Sequence, residues 1–555
     1  MHKKRTEPIK KRAPEMIKYR SSRQLSISEF ILPFNGSLDK NNRWVRLANI
    51  LPWDELVAVY SRGLSSRRGR GTLDLRVELG VLLIQGLMGY TDREVIAQIQ
   101  ENPYMQYFLG YEEYRYRRVF DPSLLVRIRK RLDREAIAEL TRVIARYKQA
   151  LEEDGPPPDD SSGPGDDSGA SGVEEGDETP PSETSEKEAP DREEKREVTH
   201  RGELIIDATA AELEIPYPTD LGLLNEARMQ SERLIDLLWA HSKRKGRKPR
   251  TYRQKARMVY LSVAKKRRKS RNQIRRGIKQ QLQYLRRNIK IIKRLLAEFS
   301  PEVANRILSR RDRELLKTIQ MVYEQQRIMY KEKHHRIENR IVNLYQPWVR
   351  PIKRGKSGSD VEFGPKLSVG LVEGVAYVDH FSWEAYNEST YLRQQVEAYY
   401  KRYGYYPEVV IGDRIYGSRE NRRYLKSLGV RFSGKSLGRP VQEREENKQQ
   451  IAEEKRRLQE EQRRRNRIEG SFGVGRRRYG LGRVRMRLAS TSETAICMAF
   501  FAMSVTAYFA VYFAYFVVKL NVLRGLRRLN KAISGLLRAL MLNFYLGGYI
   551  LSSPV

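Results

Sequence analysis

The chain is 555 residues long, enough for two or three domains with their own cores, and it carries 106 Lys and Arg against 69 Asp and Glu, a formal charge of +37. That excess points to a polyanionic partner, because protein cations neutralise phosphates and release their counterions. A single cysteine, Cys497, excludes an internal disulfide framework and suits a reducing cytosol, and the six scattered histidines leave no Cys/His cluster at zinc spacing.

Residues 1–45 read as a basic arm; the opening MHKKRTEPIKKRAPEMIKYR lacks the apolar core of a signal peptide. Residues 46–150 read as an all-α domain. Leu75, Leu79, Leu82, Leu83 and Leu87 recur at helical spacing, Gly89 stops that helix, and Thr91 with Glu94 forms a capping box for the next. Pro103 interrupts the following helix, and Ser123 starts another through Leu124, Ile128 and Leu132. Two readings stand for this domain: a helix-turn-helix set against DNA, or a compact bundle that makes dimer contacts.

Residues 151–199 change character. Between 152 and 197 the chain is rich in Asp, Glu, Pro, Gly and Ser, with a net charge of roughly −14. So little apolar surface cannot offset the entropy of ordering, which predicts a disordered linker. An apolar strand then ends on Asp207, after Leu204, Ile205 and Ile206. Residues 225–339 are predicted as an antiparallel helical pair inserted into the fold, its apolar stripe carried by Leu282, Leu285, Ile289, Ile292 and Leu296 and its outer faces strongly basic. Strands are expected at 341–344 and 348–352, a hairpin over KLSVGLVEGVAYVDHF through Glu373 and Gly374, and an amphipathic helix over 392–400.

The stretch 407–430, PEVVIGDRIYGSRENRRYLKSLGV, delivers one carboxylate to the end of a buried strand and turns into a helix. Val409, Val410 and Ile411 make the strand, Gly412 permits close backbone approach, Asp413 is the acid, Ser418 caps the helix and Gly429 ends it. An acid at the carboxyl end of such a strand faces a ligand crevice. A charged helix over 442–465 leads to Glu469, with Arg465 one turn before it and Arg476 two turns after. Asp207, Asp413 and Glu469 are three hard oxygen donors of the kind a two-metal site requires. Residues 495–518 are nearly continuous apolar sequence, read either as the closing helix of the core or as a membrane span; the closing helix is the expectation.

These segments resemble the DDE transposases of bacterial insertion sequences, with Asp207, Asp413 and Glu469 in the triad positions. Tyr416 and Ser418 match residues that follow the second Asp in that family. Around the Glu, Arg465 and Glu469 fit the pattern, while Arg476 stands where Lys is usual and Gln462 where Tyr is usual. The blocks at Tyr217, Pro218, Thr219 and Asp220, at 351–356, at Glu362, Phe363 and Gly364, and at Asn387 and Glu388 are similar as well.

The resemblance implies an α/β fold: a ribonuclease H-like mixed-sheet catalytic core over 200–224 and 340–494, interrupted by the helical insertion, with the N-terminal all-α domain in front and a C-terminal apolar helix and basic tail over 495–555. It implies Mg²⁺, with Mn²⁺ as a substitute, held by the triad, and double-stranded DNA, both terminal inverted repeats and target, as partner. Arg465, Arg476, Tyr416, Lys435 and Arg439 are then the expected DNA contacts, Asn387 and Glu388 line the site, and a homodimer works in the cytoplasm, with no membrane. A catalytically silent DNA-binding repressor or architectural protein, and a ribonuclease H-fold nuclease that cuts without joining, are the alternatives.

Overall fold

The computed structural model describes residues 27–32, 36–64, 71–154, 200–242, 246–356, 359–435 and 447–515, with four scattered positions between 437 and 444. Most of the basic arm, nearly all of the acidic segment, the tail beyond 515 and Arg439 lie outside the described residues.

Seven helices build the N-terminal domain: α1 (Arg43–Ile50), α2 (Trp53–Ser61), α3 (Leu75–Met88), α4 (Asp92–Glu101), α5 (Pro103–Phe108), α6 (Leu124–Arg131) and α7 (Arg134–Asp154). The capping box is present at the start of α4, where the Thr91 and Glu94 side chains each accept from the other's backbone N–H. Helix α3 is buried on all sides from Leu75 to Gln85, so it is the axis of the bundle and the other helices wrap it. Pro103 opens α5 rather than merely ending α4, since its missing N–H costs nothing in a first turn.

The second domain is mixed α/β around a five-stranded sheet in the order β5-β4-β1-β6-β7. Strand β1 (Glu203–Ala210) is central. It pairs antiparallel with β4 (Lys366–Val372), which pairs antiparallel with β5 (Val375–Ser382). On its other side it pairs parallel with β6 (Val409–Ile411), which is parallel to β7 (Arg431–Phe432). The β4–β5 hairpin turns through Glu373 and Gly374, both at positive φ, as a tight two-residue turn requires. A separate ribbon joins β2 (Pro351–Lys356) to β3 (Ser359–Phe363).

Alternation along β1 assigns the two faces. Leu204 and Ile206 pack with Val410, Val396, Tyr399 and Leu425, the last three from α13 (Leu392–Tyr403) and α14 (Arg419–Ser427). Ile205 and Ile411 point to the opposite face, against Ile468 and Phe472 of α15 (Lys448–Arg478). The last described helix, α16 (Ala489–Tyr515), is long and apolar enough to cross a membrane, yet more than half of its most apolar stretch is buried within the molecule. Its Ile496 and Phe500 pack under the sheet, while Met498, Phe501 and Val505 enter the core of the N-terminal domain. Thr494 reinforces the junction by donating from Oγ1 to the carbonyls of Arg129 and Leu132. This is the closing helix of the core, and it starts at Ala489, inside the region assigned to the sheet domain.

The structure corrects three sequence expectations. The insertion is not a helical pair but a bundle of α8 (Asp220–His241), α9 (Arg253–Ala264), α10 (Arg271–Leu296), α11 (Pro301–Ile307) and α12 (Arg310–Glu332), with α8, α10 and α12 sharing one apolar core. Residues 341–344 form no strand: Asn343 Oδ1 accepts from the N–H groups of Tyr345 and Gln346, a side-chain turn that competes with strand pairing. The expected strand at 348–352 begins only at Pro351.

Candidate active site

The parallel register sets Glu203, Leu204 and Ile205 beside Val409, Val410 and Ile411. Asp207 and Asp413 each lie two residues beyond the last paired residues, Ile205 and Ile411, on strands that neighbour each other in the sheet. Asp207 does not end its strand as expected, since β1 continues to Ala210, with Asp207 opposite Val369. It has the parity of Ile205, so it faces α15. Asp413 lies just beyond β6 and accepts from the Arg414 N–H at 2.6 Å, opening a short 3-10 turn over Arg414–Tyr416. Gly412 is what lets this turn close: a Cβ there would stand 2.9 Å from Ile206 and 3.3 Å from the Tyr416 ring.

Helix α15 brings the third acid. Arg465, Ile468, Glu469 and Phe472 follow i, i+3, i+4, i+7 spacing, so the buried Ile468 and Phe472 anchor the face from which the two charged residues reach the sheet. Arg465 stands between the acids, 3.0 Å from Glu469 Oε1 and 3.9 Å from Asp207 Oδ2. With its oxygen turned towards Arg465, the Gln462 amide accepts from Nε at 3.1 Å. The residue that replaces the usual Tyr therefore orients this guanidinium.

A fourth carboxylate completes the cluster. Glu388 opens the 3-10 turn Glu388–Tyr391 after β5, capped by the Asn387 side chain, and its Oε1 lies 2.8 Å from Lys366 Nζ. The Asp207 carboxyl is pushed up to about 6, first by burial and then by Glu388 and Glu469, against the pull of the Ala208 N–H and Arg465. Burial raises this acid more than Arg465, 3.9 Å away, lowers it, and Glu388 and Glu469 add to the rise. All the donors are hard oxygens, the chemistry that fits a divalent cation. Among the described residues no three His, Cys, Asp or Glu side chains converge tightly enough to hold a metal ion; the Arg465 guanidinium occupies the space between Asp207 and Glu469.

Three of the expected DNA contacts need correction or comment. Tyr416 cannot meet DNA: it is fully buried, its hydroxyl has no hydrogen-bond partner among the described residues, and burial followed by Glu388 and Asp207 drives its acidity far down. Arg476 is committed inward, its guanidinium bound to both Glu362 oxygens at 2.9 and 3.1 Å and to the Ala210 carbonyl at 3.0 Å. Lys435 is exposed, on a segment held by Arg422 donating to its carbonyl at 2.6 Å. Sequence reasoning missed Lys366, the counterion of Glu388; no local signal marks it, because the partner lies across a strand and a loop.

A family model described as a transposase DDE domain matches residues 410–506, from β6 through Asp413 and Glu469 into α16. A second, described as a transposase domain (DUF772), matches residues 33–131 in the helical domain. Both descriptions name transposase domains, and the DDE match runs over Asp413 and Glu469. The two matched spans pack on each other through α16, where the Gly86 backbone of α3 lies close to Ala502 and Met498. An uncharacterized protein, ORF8 in the nfe locus of Rhizobium meliloti, is 30% identical over 98 residues, 18% of this chain and 47% of that protein. The chain thus spans about half the length of that relative. No solved structure matches it.

Proposed function

We propose that this protein is a DDE transposase that cleaves DNA strands at the ends of an insertion sequence and joins the freed ends to target DNA, using Mg²⁺ or Mn²⁺ held by Asp207, Asp413 and Glu469. The observation that supports this reading is the parallel pairing of β1 with β6, with Asp207 and Asp413 each two residues past its last registered pair, and the packing of α15, which carries Glu469, against that sheet. The strand order, with three antiparallel strands followed by two parallel ones, supports a ribonuclease H-like core. When bound, the metal ions supply Lewis acidity at the scissile phosphate. The side chains of the chain position and stabilise. Arg465 offers a planar fork to a phosphate oxygen pair. Lys366 holds Glu388 beside the acids, and the buried Tyr416 fixes the turn that carries Asp413. Lys435 and Arg439 extend the DNA-facing edge, and synapsis of two ends calls for a homodimer. In the division proposed from the sequence, residues 46–150 are the N-terminal unit, 200–224 with 340–494 the catalytic unit and 225–339 the insertion, with α8 carrying the insertion back to Asp220.

The test is a labelled duplex carrying the inverted repeats that flank the reading frame, incubated with Mg²⁺ and an acceptor plasmid. Wild type should nick the duplex and give joined product, whereas Asp207→Ala and Asp413→Ala should do neither yet bind the duplex as wild type does. Cleavage retained by both variants would refute the site. Cleavage without joining would reduce the protein to a nuclease, and binding without cleavage by wild type to a silent DNA-binding protein.

A further inference from the structure

Residues 237–297 contain 23 Lys and Arg and not one Asp or Glu. A solvated helix face ordinarily mixes signs, and this chain provides its own example: the exposed start of α15 alternates acids and bases and includes the Arg456–Glu460 pair. Residues 237–297 do not, although α12 of the same insertion does, with its Arg310–Glu314 and Arg327–Glu324 pairs. Asp236, on α8, binds Lys248 and Arg253, but the five consecutive cations at 265–269, all exposed in the turn between α9 and α10, have no carboxylate partner among the described residues.

The arrangement on α10 is directional. Ile278, Leu282, Leu285, Ile289 and Ile292 fix its buried side. Arg276, Lys279, Arg286, Lys290 and Lys293 recur at intervals of three, seven, four and three residues, all exposed, and so fall on a single face away from that core. From Arg276 to Lys293 the row runs 17 residues along α10, roughly 26 Å, about three-quarters of one turn of a DNA duplex. Such a row of cations complements a phosphate backbone whatever the base sequence.

We propose that the 265–269 turn and the outer face of α10 form a second DNA-binding surface, separate from the carboxylate site, which grips duplex phosphates without regard to sequence. The proposal rests on the reading of the protein as a DNA transposase only for its choice of polyanion. It assigns the insertion the task of holding duplex outside the reacting end.

The test uses the full chain and a random-sequence 30-base-pair duplex, titrated by fluorescence anisotropy over a range of NaCl concentrations. The loop variant Lys265→Gln, Lys266→Gln, Arg267→Gln, Arg268→Gln, Lys269→Gln alters exposed turn residues only, and a second variant, Arg276→Gln, Lys279→Gln, Lys290→Gln, alters the helix face. Each should flatten the slope of log affinity against log salt by roughly 0.9 for every phosphate it no longer neutralises, two or more per variant, with circular dichroism unchanged. Unchanged slopes in both variants would overturn the proposal, as would wild-type binding to vesicles of phosphatidylcholine and phosphatidylglycerol in preference to duplex. Nicking of repeat-bearing duplex is scored in parallel. Slopes that flatten while wild type fails to nick would leave the surface standing and remove the catalytic reading. Intact nicking with unchanged slopes would do the reverse.

Discussion

The buried Arg228 network of the insertion and the acids of the sheet crevice differ in how closely each charge meets its complement. Inside the insertion, Arg228 is 1% exposed, and its guanidinium donates to Gln281 at 3.1 Å, to Glu232 at 2.6 Å and to Asn225 at 2.8 Å. The buried charge there meets its complement. In the crevice Asp207 faces Glu388 and Glu469, and the Tyr416 hydroxyl is buried without a partner among the described residues. The first arrangement stabilises a fold, whereas the second is kept in spite of its cost, which is the mark of a site awaiting a ligand of opposite charge.

Breaking the complementary region should have the largest effect. Arg228→Ala leaves Glu232 buried with no counterion and should destabilise the protein by about 3–5 kcal/mol, read as a lower denaturant midpoint. A loss below about 1 kcal/mol would mean that the network is not what holds α8 to α10.

The crevice should respond with the opposite sign. The folded chain binds the Asp207 proton more tightly than the unfolded chain does, its carboxyl being raised from 3.8 to about 6. Stability is therefore fully present below about pH 4, declines as pH rises to about 6 and is level above, a swing of about 2–3 kcal/mol. Asp207→Asn should abolish that decline and make the variant more stable than wild type at pH 8. An unaltered pH profile in Asp207→Asn would contradict the electrostatic account.

Two smaller effects sharpen the contrast. Tyr416→Phe removes a buried hydroxyl with no protein partner in the described residues, and should be neutral or stabilising by about 1 kcal/mol, the reverse of the usual loss at a buried hydrogen-bonding group. Thr91→Ala, in a satisfied capping box far from either network, should cost about 1 kcal/mol and sets the scale for an ordinary local interaction. Thermal melts of both variants test these signs.

What the sequence discloses follows the same division. Periodicity and caps are local, so the α3 stop at Gly89, the α4 capping box, the β4–β5 hairpin, the Asp413 strand and the helix behind it are all legible. Partners distant in the chain are not. Arg476 reads as a free cation in sequence, whereas Glu362, 114 residues earlier, fills its fork. Tyr416 reads as a surface residue because burial is decided by α13 and α14, not by its neighbours. Glu388 shows no sign of its influence on Asp207, a relation created when β4 pairs with β1 and β5 turns back along β4. The apolar run at 495–518 is ambiguous because a membrane and the junction of two domains demand the same composition.

The central proposal is that Asp207, Asp413 and Glu469 take a divalent cation in exchange for the Arg465 contact that now lies between Asp207 and Glu469. It is tested most directly by thermal unfolding at pH 8 with and without Mg²⁺, and with Mn²⁺ in its place, for wild type, Asp207→Asn, Asp413→Asn and Glu469→Gln. The account predicts that saturating cation raises the wild-type midpoint by roughly 3 °C or more and that each substitution removes most of that rise. An equal rise in all four proteins, or none in wild type, would contradict it.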